Sequence, residues 1–144
     1  MPKIERSITI NAPVEKVFTY INDPELNPEW LPSMIEVKDV NMTEQGVGSH
    51  FKWVYKMAGI RFNGETTTIE HVPNQRIVVQ SKVGIKSTWS WTFEPDNDGT
   101  RLSLAVEYTI PIPVLGKLAE AVVSKQNEKE ADAAMANIKA KMES

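Results

Sequence analysis

The chain contains no cysteine. That excludes a disulfide framework, a thiolate nucleophile and any thiolate-ligated metal. Histidine is nearly as scarce: His50 and His71 are the only two in 144 residues, and they stand well apart in sequence. They form no recognisable metal-ligand cluster, so no metal is expected. No apolar run approaches the ~20 residues of a membrane-spanning helix, and no membrane span is expected. The opening Met-Pro-Lys-Ile-Glu-Arg-Ser leads into no apolar core of signal-peptide length. A net charge of −3, with Lys and Glu interspersed, offers nothing to draw in nucleic acid. Gly-Xaa-Ser-Xaa-Gly, P-loop and dinucleotide fingerprints are all missing. The expectation is a cytoplasmic protein that uses no cofactor. One domain of this length buries ~68–70% of its unfolded surface without covalent staples.

What is present is a strong pattern. Ile4, Ile8 and Ile10 alternate with polar residues as a strand does. Asn11-Ala12-Pro13 stops that strand and starts a helix with the apolar stripe Val14, Val17, Phe18 and Ile21. Asp23-Pro24 begins a second short helix that ends near Trp30. From Ile35 the period changes to two. A strand containing Ile35 and Val37 runs to Met42-Thr43, and Gln45-Gly46-Val47-Gly48 turns the chain. Phe51, Trp53, Tyr55 and Met57 then share one strand face, Trp89, Trp91 and Phe93 another, and Leu102 to Tyr108 a third. Asp98-Gly99 marks a hairpin between the last two strands. From Lys117 to the end the chain has no Gly or Pro and is rich in Ala, Lys, Glu and Met, which predicts one long amphipathic helix. The order is one strand, two short helices, six strands and one long helix. Short reversals between successive strands favour an antiparallel meander, and the class is α+β.

The apolar strand faces carry unusually large side chains: Phe51, Trp53, Tyr55, Trp89, Trp91, Phe93 and Tyr108. They either form a solid core or line a cavity left between a curved sheet and a single helix; periodicity alone does not choose. For acid–base chemistry the candidates are Glu65, Glu70 and His71 on the long strand after Ile60. Gly64 could mark a bulge there. Either Thr66, Thr68 and Glu70 face inward, or Glu65, Thr67, Ile69 and His71 do. On the final helix the stripe of Leu115, Leu118 and Val122 is turned by roughly 140–180° from that of Ala131, Met135 and Ile138. The Ala-rich second half is expected to pack tightly on the short helices and first strand. The first half is expected to roof a cavity, with Leu118 and Val122 against a ligand and Asn127 as a polar anchor. The Lys/Glu pattern of Lys125–Asp132 reads as the helix's solvated face.

Ile10-Asn11-Ala12-Pro13-Val14-Glu15-Lys16-Val17-Phe18, then Asn22-Asp23-Pro24 and Glu29-Trp30-Leu31-Pro32, resembles the opening of the SRPBCC superfamily. This START-like, birch-pollen-allergen-like group includes the polyketide cyclase/dehydrase-like families. Gly46-Val47-Gly48, Val72-Pro73 and Pro111-Ile112-Pro113 fit the same pattern. The resemblance implies a helix-grip fold, in which a curved seven-stranded antiparallel sheet (β-α-α-β6-α) holds a long C-terminal helix. It implies a hydrophobic or amphipathic small-molecule partner, such as a lipid, sterol, polyketide or quinone. Cyclase/dehydratase activity, without metal or nucleotide, is the alternative, and a chaperone-ATPase-stimulating interaction module is a third. No invariant catalytic set runs through the superfamily, so the resemblance assigns no catalytic residue.

Overall fold

In the computed structural model, residues 3–57, 59–83, 85–109 and 112–144 are described, with the backbone alone for 112–120 and 123. The chain runs β1 (Lys3–Ile10), α1 (Val14–Asn22), a 3₁₀ turn (Pro24–Leu26) and α2 (Asn27–Trp30). It continues through β2 (Met34–Asn41), β3 (His50–Met57), β4 (Ile60–Val72), β5 (Arg76–Val83), β6 (Ser87–Asp96) and β7 (Gly99–Tyr108). The last element is α3 (Ile112–Glu143). The strands form one seven-stranded antiparallel sheet in the order β1-β7-β6-β5-β4-β3-β2. This is the α+β helix-grip arrangement. Because β1 and β2 lie at opposite edges, α1 and α2 carry the chain across the width of the sheet before the meander brings it back.

Pro13 precedes α1 in extended backbone, and Val17, Phe18, Tyr20 and Ile21 of that helix are buried. The Asp23 carboxylate accepts a hydrogen bond from the Glu25 amide at 3.1 Å and so caps the 3₁₀ turn. Beyond it, α2 buries Trp30. α3 begins five residues before Lys117, because Pro113 lies in its first turn, where a missing N–H costs nothing. Its second half buries Ala131, Ala134, Met135, Ile138 and Met142. There it packs on β1 and α2, and small side chains let the backbones approach. Lys16 Nζ donates to the Met142 carbonyl at 2.9 Å, and the Glu143 carboxylate accepts from the Asn11 amide at 2.8 Å. The C-terminal end of α3 is thus tied to the β1–α1 junction.

Local irregularities decide which residues face the helix. Ile35 is exposed because a register shift between Met34 and Glu36 pushes it out of the β2–β3 ladder, and Met34 is buried instead. On β4 the pairing with β3 is unbroken across Gly64, so no bulge sits in that ladder. Gly64 serves the packing of Trp53, whose ring would lie 2.1 Å from a Cβ added there. The parity of β4 is instead switched by the unpaired Ile69, which shifts the register against β5 between Thr68 and Glu70. The β6–β7 loop is Asn97-Asp98, with Asn97 at φ 55°, and Gly99 already pairs with Asp96.

Candidate ligand-binding site

Between the inner face of the sheet, α2 and the middle of α3 lies a cavity of about 120 Å³, partly open to solvent. A dry cavity of ~150 Å³ accommodates benzene, so this one matches a ring or short chain before any opening of its walls. Its floor is aromatic because alternate residues of β3 and β6 point the same way. Phe51, Trp53 and Tyr55 of β3 line it, as do Trp89 and Trp91 of β6 and Tyr108 of β7. Trp30 of α2 closes one side and meets Trp91 edge-on at 5.5 Å between ring centres. All four tryptophans of the chain therefore border one space.

The wall is mostly apolar, but nine of its residues are Asn, Ser, Thr or Glu. Trp53 Nε1 donates to Thr66 Oγ1 at 2.8 Å, which satisfies both and holds the indole against Gly64. Asn127 lines the cavity from α3. One helical turn further on, Glu130 lines it too and is only 9% exposed. Its Oε2 accepts from the Ser33 amide at 2.6 Å and from the Tyr55 hydroxyl at 3.2 Å. Burial, then the adjacent Glu130 charge and hydrogen bond, push the Tyr55 phenol well above its ordinary value, against a smaller lowering by Ser33. Tyr55 is therefore a neutral donor at physiological pH. From α2, Asn27, also 9% exposed, and Trp30 line the same cavity. Asn27 Oδ1 and Trp30 Nε1 are buried and have no hydrogen-bond partner among the described residues.

The three acid–base candidates stand elsewhere. Thr66 and Thr68 line the cavity, so Glu65 between β3 and β5 points to the other face. Glu70 is exposed and paired with Arg76 at 3.0 Å. The bulge at Ile69 turns His71 toward α1, where it meets Phe18 at 5.4 Å and presses on Gly46. None of the three lines the cavity. Two of the expected lining residues lie elsewhere as well. Phe93 is buried against Phe18, at 5.1 Å, at the α1 end of the sheet. Val122 is 54% exposed because it lies nine residues, half a turn out of phase, before the buried Ala131. Leu118, expected beside it, lies outside the residues whose side chains are described. Glu130 was hidden in a run that reads as solvated. Its spacing of four to Ala134 and eight to Ile138 is the available signal, since those positions share one helix face. Trp30, Asn27 and Ser49 had no periodic signature at all.

A family model described as polyketide cyclase / dehydrase and lipid transport matches residues 1–143. No relative among the curated proteins matches the chain. Among solved structures, TTHA0849 from Thermus thermophilus superposes with a TM-score of 0.83 at 23% identity, covering 98% of this chain and 97% of that one. The ZhuI aromatase/cyclase from Streptomyces sp. R1128 gives 0.82 at 16% identity, covering 99% and 93%. A START superfamily protein from Mycobacterium smegmatis gives 0.72 at 18%, covering 94% and 96%. At these identities the structures establish a shared fold, while the family match spans nearly the whole sequence. The chain belongs to the polyketide cyclase / dehydrase and lipid transport family.

Proposed function

We propose that the protein binds or carries a hydrophobic or amphipathic small molecule in the cavity between the sheet and α3. What supports this above all is the wall: all four tryptophans border one mostly apolar space. Solid cores do not leave such a space, because interiors pack to crystal-like density. The family's own description, which joins polyketide cyclisation and dehydration to lipid transport, points to ligands of this kind. Titration with fatty acids, sterols, quinones and flavonoids, followed by tryptophan emission, tests it. A saturable change with at least one class is expected; unchanged emission across the whole panel at saturating concentration refutes the reading.

One observation favours a second reading, a cyclase or dehydratase. Glu130 and Tyr55 put a carboxylate and a neutral phenol donor on each other inside the cavity, the residue types that proton transfer to and from a bound polyketide needs. The ZhuI aromatase/cyclase shares the fold. Mass analysis of the recovered ligand separates the two readings. An unchanged molecule leaves carriage, and a cyclised or dehydrated product selects catalysis.

A further inference from the structure

Glu130 is a buried carboxylate without a cation. Buried charges are normally paired, because the interior offers no water to offset them. Among the described residues Glu130 takes part in no ion pair. Its helical neighbours three and four positions away are Gln126, Asn127, Ala133 and Ala134, so α3 itself supplies no counter-charge. No Lys, Arg, His or Asp is among the described residues that line the cavity, and Glu130 is the one carboxylate there. Its two hydrogen bonds, from the Ser33 amide and the Tyr55 hydroxyl, both end on Oε2 and bring no charge. Oε1 accepts none from the described residues, yet it is not sealed off as Asn27 Oδ1 and Trp30 Nε1 are.

We infer that Glu130 makes the cavity selective for charge, so that it takes amphipathic ligands carrying an ammonium group and turns carboxylates away. The inference rests on the cavity being a ligand site. An ammonium N–H donates to Glu130 Oε1 and supplies the missing positive charge, and a charge-assisted hydrogen bond out of water is among the stronger ones. The aromatic rings that border the same space add to this, since a ring face attracts a cation. A ligand carboxylate instead sets a second negative charge against the first, in a space with little water to screen them. The apolar wall holds the rest of the molecule in either case, so the head decides.

Calorimetric titration of the full chain at neutral pH with toluene, benzyl alcohol, benzylamine and benzoate tests this. The four share one ring, small enough for the cavity, and differ in the head. Benzylamine, cationic at this pH, is expected to bind at least about tenfold more tightly than toluene, the gain of a charged hydrogen bond. Benzyl alcohol, a donor without charge, is expected to fall between them, and benzoate below toluene. Glu130→Gln keeps an acceptor for Ser33 and Tyr55 and removes the charge. It should bring benzylamine to within about threefold of benzyl alcohol and raise affinity for benzoate, with retained toluene binding showing that the variant is folded. The order of the four ligands on the native chain is informative whatever the variant's stability. Benzylamine binding no tighter than toluene, benzyl alcohol matching benzylamine, or benzoate binding tightest overturns the charge selection and leaves the cavity as a binding site. An undiminished preference for benzylamine in folded Glu130→Gln also overturns it. If none of the four binds, the cavity reading falls and the selection falls with it.

Discussion

Tyr55 and Glu130 meet where the sheet and α3 close on each other, and their contact makes stability depend on alkaline pH. Burial, with the neighbouring carboxylate, lifts the Tyr55 phenol well above the ordinary value of about 10. Tyr20, buried and bonded to Glu29, is lifted in the same direction, to about 12. Below pH ~10 both the folded and unfolded chains hold these protons, and the stabilising contribution is complete. Above it the unfolded chain releases protons that the folded chain keeps, so stability falls as pH rises toward the folded values. Denaturant melts of the native chain should therefore lose stability above pH ~10, and Tyr55→Phe should flatten that loss. At neutral pH the same substitution should cost about 1–3 kcal/mol, because Glu130 keeps its burial and loses a donor. An unchanged alkaline slope in Tyr55→Phe would mean that Tyr55 ionises freely and the cavity wall is open to water there.

At the scale of elements, α3 divides in the middle into a half that packs and a half that borders the cavity. Ala134 and Ile138 are fully buried against β1 and α2, whereas Asn127, Glu130 and Ala131 line the open space. Ala134→Trp has nowhere to put an indole and should cost about 1–3 kcal/mol or more in denaturant melts. Val122→Trp, on the solvent side of the helix, should change stability by no more than about 0.5 kcal/mol and leave ligand affinity unaltered. A larger loss from Val122→Trp than from Ala134→Trp would place the packed half of α3 at the wrong end. Bulges act at the same scale on the sheet. By extruding Ile69, β4 keeps Thr66 and Thr68 in the cavity and still hands His71 to α1.

At the scale of the whole molecule, the fold is closed by pairs far apart in sequence. β1 pairs with β7, Ile4 opposite Val106 and Ile10 opposite Thr100, and α3 then packs over β1. The cavity's walls come from nearly every part of the chain, with α2, strands of the sheet and α3 all contributing. A ligand that touches all of them binds the folded chain and not the unfolded one, so it must raise the melting temperature. At ~100 times the dissociation constant it adds about 2.7 kcal/mol, which for a chain of this size raises the midpoint by roughly 5–10 °C. A ligand that perturbs tryptophan emission with no thermal shift would not be held by the folded chain in preference to the unfolded one.

The element order, the antiparallel meander and the inward aromatic faces of β3 and β6 follow from the sequence by itself. Period-two alternation sets which side chains share a face, and Pro13, Asp23 and Gly46 mark where the chain must turn. The family was legible for the same reason, since its opening motif is made of those turns and caps. Most of the aromatic cavity wall could be read in this way, from Phe51 to Tyr108. Its polar lining could not. Glu130 sits in a run of alternating charges, and only the packing of Ala134 and Ile138 turns that face inward. Asn27 and Trp30 belong to a four-residue helix too short to have a period. Whether Glu70 or His71 faces inward turned on one unpaired residue, Ile69, because a single insertion inverts every facing beyond it. Local pattern reports which side of an element is apolar; only the assembled structure reports what that side meets.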